Sequence, residues 1–166
     1  AGLEVLAELA PQAPLRVDQL VLQREGYLAG ADADRAAHLS ELMTAPDMGV
    51  VLCARGGFGT SRLLPLLDLP VLSQSRRLLM GFSDFTALLN ALAAHGLVTL
   101  HGPMVTQLPR LDQPSRQALQ RLLAGQPQWP LKLQGRAISA GRAEGVLWGG
   151  NLTMLCHLLG TPWMPP

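Results

Sequence analysis

The sequence predicts an α/β fold with a doubly wound, mainly parallel sheet, followed by the start of a smaller β-rich C-terminal domain. Short apolar runs at 49–54, 78–81 and 97–100 are typical of buried strands. Stretches with helical spacing of apolar residues lie between them, and this alternation favours a parallel sheet. A hydrophobic content of 48% with only 15% charged residues allows a large buried core.

The N-terminal part of the chain is predicted to contain two helices and one strand. Residues 1–10 favour a helix that ends at Pro11, and residues 15–22 alternate weakly as a strand would. Asp32 is expected to cap a helix over 33–44, which Pro46 ends.

A glycine-rich turn follows the strand predicted at 49–54. Residues 55–60 have the sequence RGGFGT, and a helix is predicted over 61–67. Glycines let backbone N–H groups approach a ligand closely, so this junction can bind an anion or an oxyanion. An ordinary tight turn explains the pattern at least as well, and the Gly-Lys-Ser/Thr of a phosphate-binding P-loop is absent.

Ser83 lies at a predicted sharp turn from strand to helix. The strand over 78–81 ends just before it, and helical spacing of apolar residues begins at Phe85. Asp84 suits an N-cap or first-turn position. The turn is similar to a nucleophile elbow, although Phe85 stands where the Gly-x-Ser-x-Gly motif has glycine. On this pattern alone, a helix cap explains Ser83 better than a nucleophile does.

A third polar junction, HGPM at 101–104, follows the strand predicted at 97–100. Ligands of parallel sheets bind at the carboxyl ends of the strands. The glycine turn, Ser83 and His101 are therefore expected on one edge of the sheet, which supports a site there better than any one junction does.

Three regions are predicted along the chain. Residues 1–104 form the α/β domain, and 105–135 form a connector with a helix that begins at Pro114 and is broken by 125–130. Residues 136–166 begin a second domain, with glycine-punctuated strand sequence before a two-turn helix capped by Asn151.

Composition narrows the function classes. A net charge of +1 without a basic run gives no case for binding nucleic acid or an anionic membrane. The two cysteines lie in apolar segments and are predicted to be buried thiols of a reduced compartment. No metal-ligand spacing and no apolar run of about 18 residues is present. A soluble, cytoplasmic protein without metal or cofactor is expected.

Four ordered blocks resemble one known family. They are CARGGFG at 53–59, GFSDFTAL at 81–88, HGPM at 101–104 and EGVLWGGNL at 144–152. Together they resemble the LD-carboxypeptidase family of serine peptidases, the muramoyltetrapeptide carboxypeptidases, which also contains the microcin-C immunity peptidases. The resemblance covers nearly the whole chain and changes the interpretation of Ser83 from a helix cap to a nucleophile.

The resemblance implies a catalytic machinery. Ser83 would be the nucleophile, and Glu144 the carboxylate that orients a catalytic histidine. The backbone N–H groups of Asp84 and Gly57 would form the oxyanion hole. These groups match what acyl transfer from a serine requires, namely an oriented base and preorganised donors.

The resemblance also implies a substrate and an assembly. Arg55, Gly56, His101 and Asn151 would contribute to substrate binding, with Arg55 anchoring either the glycine turn or a substrate carboxylate. The expected activity is release of terminal D-alanine from a murein tetrapeptide by cleavage of an L,D bond. A cell-wall recycling role, a homodimer and a microcin-C immunity-type peptidase as an alternative follow from the same family.

One departure from the family bears on activity. The family's catalytic histidine comes after the last block and its first strand comes before Ala1, so the chain is expected to be a fragment that is inactive alone. None of the four histidines is a convincing substitute: His38 is expected on a surface helix, His95 far from Ser83, His157 packed and His101 in a pocket wall.

Two other classes of function stay open. The chain could be a non-catalytic α/β module that binds a small anion at its glycine turns, or an interaction fragment that self-associates through apolar surface around Val146, Leu147, Trp148 and Trp163. A serine-reactive phosphonate separates the first from an enzyme, because only an activated Ser83 would be labelled.

Overall fold

The computed structural model of the chain describes residues 1–127 and 134–165 and contains a parallel sheet. Its strands, in the order of both chain and sheet, are β1 (Val50–Leu52), β2 (Leu78–Gly81) and β3 (Leu100–His101). Val51 lies opposite Leu79, and Gly81 lies opposite His101. The carboxyl ends of the strands therefore share one edge, as the sequence predicts.

Helices make up most of the other regular structure. The α-helices within the described ranges are α1 (Gly2–Leu9), α2 (Asp32–Thr44), α3 (Leu69–Ser73), α4 (Thr86–Ala94), α5 (Gln113–Leu123) and α6 (Leu152–Leu158). Shorter 3-10 segments span Gln19–Leu22, Leu64–Leu66, Ser83–Phe85 and Val105–Arg110. The longest of the described helices has 13 residues, and none has the length and apolarity to cross a membrane.

Apolar side chains cover both faces of the sheet. Leu79 points to one face, where it packs with residues of α2, α3, α4 and α6. Met80, the next residue, points to the other face and packs with residues of α1 and α5. Both side chains are fully buried. This alternation along β2 confirms the predicted doubly wound α/β fold.

The strand predicted at 15–22 is wrong. The backbone is extended at Asp18 and then forms the 3-10 segment Gln19–Leu22. None of the three described strands pairs with residues 15–22. Weak alternation cannot form a strand without such a partner.

The prediction for residues 61–67 is also corrected. A turn and the short 3-10 segment Leu64–Leu66, with a proline near its start, replace the predicted helix. α3 follows immediately and was not predicted; the Asp68 carboxylate caps it by accepting a hydrogen bond from Val71 N–H at 3.0 Å. The strand predicted at 97–100 is paired only from Leu100 onward.

The region after the α/β domain is partly as predicted. α5 confirms the connector helix, whereas residues 128–133, including the end of the predicted break at 125–130, lie outside the described residues. The predicted strand sequence after Arg136 forms no strand within 134–165, and Ile138 and Leu147 are exposed. The three-region division stays a prediction.

Several predicted environments are wrong. Cys156 is exposed, whereas Cys53 is partly buried and burial raises its pKa to about 11. His38 lies on a helix with exposed residues, as expected, but its own side chain is only 12% exposed and lies 2.7 Å from Asp18 Oδ2. His157 is exposed, and Trp163 packs partly against the core.

Truncation of Leu79 should destabilise the fold strongly. Leu79→Ala leaves a cavity between the sheet and its helices, and we expect the free energy of unfolding to fall by about 2–5 kcal/mol. Urea denaturation followed by circular dichroism measures this change. Leu66→Ala is the matched control, since Leu66 is 53% exposed. Equal losses in both variants would contradict the placement of the core.

Candidate active site

Ser83 has an unusual backbone conformation. Its φ angle is +59°, and no other non-glycine residue of the described ranges has a positive φ. For an L-residue this left-handed conformation costs about 1–2 kcal/mol. Strain of this kind persists only where the surrounding structure imposes it, and it is concentrated at functional sites. The backbone therefore confirms the sharp strand-to-helix turn and makes Ser83 the central residue of the candidate site.

The absence of the second glycine of the elbow motif has a structural explanation. Phe85 has φ −64° and ψ −14°, a right-handed conformation that needs no glycine. Space for its ring comes from Gly81, where an added Cβ would lie 2.6 Å from Phe85 Cγ. Gly81 thus allows the Phe85 ring to lie against the end of β2, and the departure from the motif leaves the elbow intact.

Asp84 lies in the first turn after the elbow rather than at the cap of α4, which begins at Thr86. Its side chain is 6% exposed, and Oδ2 accepts a hydrogen bond of 2.7 Å from Thr60 N–H. Oδ1 is buried without a hydrogen-bond partner among the described residues. The Asp84 carboxylate therefore joins the elbow to the end of the glycine turn.

The glycine turn lies directly against Ser83. An added Cβ at Gly56 would be 3.8 Å from Ser83 Cβ and 3.2 Å from Met104 Cε. Gly57 has φ +122°, a conformation that L-residues rarely adopt. The N–H groups of Val105 and Thr106 donate at 3.1 Å each to the carbonyls of Cys53 and Ala54, which follow β1, and this joins the segment after the third junction to the same edge.

Arg55 anchors the glycine turn. Its guanidinium donates to the Gly56 carbonyl at 3.1 Å and to the Tyr27 carbonyl at 3.2 Å. The first of the two roles predicted for Arg55 is confirmed by these contacts. The turn is thereby fixed to the loop that precedes α2.

His101 lies at the end of β3 beside the elbow. Its ring centroid is 5.1 Å from that of Phe82, with the rings tilted by 52°, and its Nε2 is 3.4 Å from Thr86 Oγ1. Partial burial lowers its pKa. His101 lines an open cleft of about 380 Å³, as expected for a pocket-wall residue. The other lining residues are Phe82, Gly102, Pro103, Gln107, Arg110 and Leu111.

Two predicted site residues lie after the α/β domain. The Asn151 side chain accepts from Met154 N–H at 3.2 Å, which confirms it as the cap of α6. Glu144 is exposed in a segment without regular secondary structure, and no hydrogen bond or ion pair joins it to Ser83 within the described residues. The roles implied for Glu144 in catalysis and for Asn151 in substrate binding stay predictions.

None of the four histidines, all of which are described, hydrogen-bonds Ser83. His38 bonds Asp18, His95 Nδ1 lies 2.8 Å from the Ala91 carbonyl, and His101 lies near Thr86. The described residues thus supply a strained serine beside a glycine turn, but no histidine that hydrogen-bonds Ser83.

Two buried polar residues of α4 are not apparent from the motif blocks, namely Thr86 and Asn90, which are 0% and 3% exposed. Their signal was available, because polar residues four apart interrupt an otherwise apolar helix. Arg110, which lines the same cleft as His101, is not predicted from the sequence either, since nothing in the local pattern relates it to the Ser83 elbow.

Comparison with known sequences decides the family. The sequence model of the LD-carboxypeptidase N-terminal domain matches residues 1–102, more than half of the chain. The chain belongs to the LD-carboxypeptidase family. The Ser83 elbow, the glycine turn and His101 all lie within the matched residues.

Relatives within the LD-carboxypeptidase family are longer proteins. Murein tetrapeptide carboxypeptidase of Pseudomonas aeruginosa is 42% identical over 149 residues, which cover 83% of this chain and 48% of that protein. Microcin C7 self-immunity protein MccF of Escherichia coli is 28% identical over 171 residues, covering 84% and 50%. This chain spans about half the length of the curated relatives it matches.

Solved structures agree with the LD-carboxypeptidase fold. Muramoyltetrapeptide carboxypeptidase from Oxalobacter formigenes superposes with a TM-score of 0.81 at 32% identity, covering 99% of this chain and 56% of that one. MccF in complex with aspartyl sulfamoyl adenosine superposes with a TM-score of 0.78 at 23% identity, covering 99% and 58%. The second likeness shows the fold alone.

Backbone strain at Ser83 predicts an unusual order of stabilities. We expect Ser83→Gly to be more stable than Ser83→Ala by roughly 0.5–1 kcal/mol, because relief of the left-handed strain exceeds the flexibility that glycine adds to the unfolded chain. Urea denaturation of both variants measures the difference.

The control for the Ser83 pair is Ser40, which lies within α2. There glycine should be less stable than alanine by about 1 kcal/mol, as in any helix interior. The same order at Ser83 as at Ser40 would show that Ser83 is not strained.

Proposed function

We propose that the protein is a serine LD-carboxypeptidase that cleaves an L,D-peptide bond and releases terminal D-alanine from a murein tetrapeptide. The observation that carries the proposal is the left-handed Ser83 at the carboxyl edge of the sheet, against a glycine turn. Relatives named as murein and muramoyltetrapeptide carboxypeptidases support the substrate class. A cytoplasmic location, a recycling role and a homodimer stay predictions.

The proposed reaction begins with attack of Ser83 Oγ on the carbonyl carbon of the scissile bond, while a base removes the hydroxyl proton. The tetrahedral oxyanion would accept hydrogen bonds from the N–H groups of Gly57 and Asp84. Collapse breaks the C–N bond, and D-alanine leaves as an amine after taking up the proton. Water then hydrolyses the acyl-enzyme by the same steps.

The base of this reaction is proposed to lie outside the described residues. No described histidine contacts Ser83 in a hydrogen bond, and an unassisted serine hydroxyl is a weak nucleophile at neutral pH. Glu144 remains the candidate from the sequence to orient that base. Gly56 is proposed to contact substrate through its backbone, because it is the residue of the glycine turn that approaches Ser83.

A carboxypeptidase also needs a cation for the terminal carboxylate of its substrate. Arg55 and Asn151 already hydrogen-bond inside the chain. Arg110 lines the cleft beside Phe82 and His101, and it makes no hydrogen bond or ion pair with another described residue. No acidic side chain of the described residues lines this cleft. Arg110 is therefore the proposed anchor of the carboxylate.

Removal of the Ser83 hydroxyl tests the function itself. In the natural protein that carries this sequence, Ser83→Ala should lower kcat for D-alanine release by about 10⁴- to 10⁶-fold, because no covalent intermediate can form. Chromatographic detection of D-alanine from a murein tetrapeptide measures the rate. The control is Ser40→Ala within α2, where the hydroxyl bonds the Ala36 carbonyl of the same helix. D-alanine release at the wild-type rate by Ser83→Ala would refute the serine mechanism. A second measurement is labelling of the wild-type protein by a fluorophosphonate, which reacts with an activated serine. Absence of labelling would favour the non-catalytic module that binds a small anion.

Removal of the Arg110 cation tests substrate binding. Arg110→Ala should raise KM for the tetrapeptide by about tenfold or more, since hydrogen bonds to charged groups contribute roughly 1.5–3 kcal/mol. A tetrapeptide with an amidated C-terminus should lose this dependence, because it carries no carboxylate. Arg76→Ala is the matched control, as Arg76 is an exposed arginine that precedes β2 at the opposite edge of the sheet. Equal KM values for Arg110→Ala and wild type would exclude the anchor role.

A further inference from the structure

Two buried polar side chains of α4 lie outside the proposed chemistry. Thr86 and Asn90 are 0% and 3% exposed in a helix whose other buried residues are Ala87, Leu88, Leu89, Ala91 and Leu92. Burial of a hydroxyl or a carboxamide is unfavourable unless its hydrogen bonds are formed. Their partners therefore show what these two side chains do.

Asn90 binds the backbone of Gly149, 59 residues later in the chain. Its Nδ2 donates to the Gly149 carbonyl at 2.8 Å, and its Oδ1 accepts from Gly149 N–H at 3.1 Å. The same Nδ2 also donates to the Thr86 carbonyl at 2.8 Å, which fixes the carboxamide on the helix. A donor and an acceptor on one side chain thus pair with both backbone groups of Gly149, as a residue of a neighbouring strand would.

Thr86 extends this contact by two residues. Its Oγ1 accepts from Asn151 N–H at 3.1 Å and lies 3.4 Å from His101 Nε2. Asn151 in turn caps α6, whose Met154 and Leu158 are buried in the core that α4 also contributes to. The Thr86 hydroxyl therefore lies between the end of β3 and the start of α6.

Gly150 completes the contact from the other side. Its φ is +134°, and an added Cβ would lie 2.7 Å from Thr86 Oγ1 and 3.0 Å from His101 Nε2. Only a residue without a side chain lets this segment approach α4 so closely. The segment 149–151 is thus held by hydrogen bonds and by close packing together.

We propose that Thr86 and Asn90 are positioning residues of the peptidase site, which dock segment 149–151 onto the helix that follows Ser83. This inference rests on the proposed function. Residues 149–151 lie after the region that matches the family's N-terminal domain, which ends at 102. The contact joins the nucleophile domain to the polypeptide that follows it, so groups carried by that polypeptide keep a fixed place relative to Ser83.

The docking itself is tested in the natural protein without reference to activity. In Thr86→Val and Asn90→Leu, amide hydrogen exchange of peptides covering 146–153 should accelerate at least tenfold, while exchange of β2 should be unchanged. Thr44→Val is the matched control, because the Thr44 hydroxyl bonds only within its own helix. Wild-type exchange over 146–153 in both α4 variants would overturn the docking.

The positioning role is tested by kcat per folded molecule, with the folded fraction measured by near-ultraviolet circular dichroism. A displacement of about 1 Å can lower a rate by about 10²-fold, so we expect a tenfold to hundredfold loss of kcat with a smaller change in KM. Gly150→Ala should show the same loss from the opposite side of the contact and keeps the test valid if an α4 variant does not fold. Gly141→Ala is its control, since nothing lies within 4 Å of a Cβ there.

The outcomes separate the two proposals. Faster exchange with an unchanged kcat per folded molecule would reduce Thr86 and Asn90 to structural residues and overturn the inference. Absence of D-alanine release by wild type would instead overturn the proposed function. Faster exchange together with lower kcat, in the α4 variants and in Gly150→Ala alike, is the result that the proposal predicts.

Discussion

The hydrogen bond from Thr60 N–H to the buried Asp84 carboxylate joins the parts on which the candidate site depends. It connects the end of the glycine turn with the residue next to Ser83, at a distance of 2.7 Å and away from solvent. Hydrogen bonds to an ionised acceptor are short and strong, and a buried carboxylate without them is costly. The bond therefore fixes two segments that are separate in sequence and belong to two different strand ends.

This connection helps to stabilise the strained backbone conformation of Ser83. A left-handed serine is unfavourable by itself. Rotation of the following helix would relieve this strain, so the surrounding structure must hold that helix in place. α4 is held from nearly all sides, because all of Thr86 to Leu92 are buried, and its apolar residues belong to the larger core. The free energy of that burial greatly exceeds the roughly 1–3 kcal/mol that such backbone strain costs. The core thus imposes the left-handed geometry of Ser83.

The two buried polar side chains of α4 give this helix a second structural role, which is to bind a later segment of the chain. Its N-terminal end presents Ser83 to the glycine turn, while Thr86 and Asn90 face the segment 149–151. One short helix therefore determines where both Ser83 and the segment 149–151 lie. His101 stands between them, near Phe82 on one side and Thr86 on the other, so a change at either contact reaches the edge of the sheet.

Local pattern was sufficient for the fold class, for the common edge of the three junctions and for the turn at Ser83. Apolar runs and helical spacing are properties of neighbouring residues, and the order of strands and helices then limits the topology. The family was indicated by four motif blocks that occur in a fixed order, because no single block is specific enough. The strand at 15–22 failed because its existence depends on a partner strand elsewhere, which alternation alone cannot reveal.

The tertiary structure alone decided which side chains meet. The Asp84 bond to Thr60, the Arg55 contact with Tyr27 and the Asn90 contact with Gly149 join residues 24, 28 and 59 positions apart. The left-handed φ of Ser83 is likewise imposed by packing on both sides of the turn, and no residue type in its neighbourhood encodes it. Such features arise from the distances between elements, which are determined by the whole core rather than by any segment.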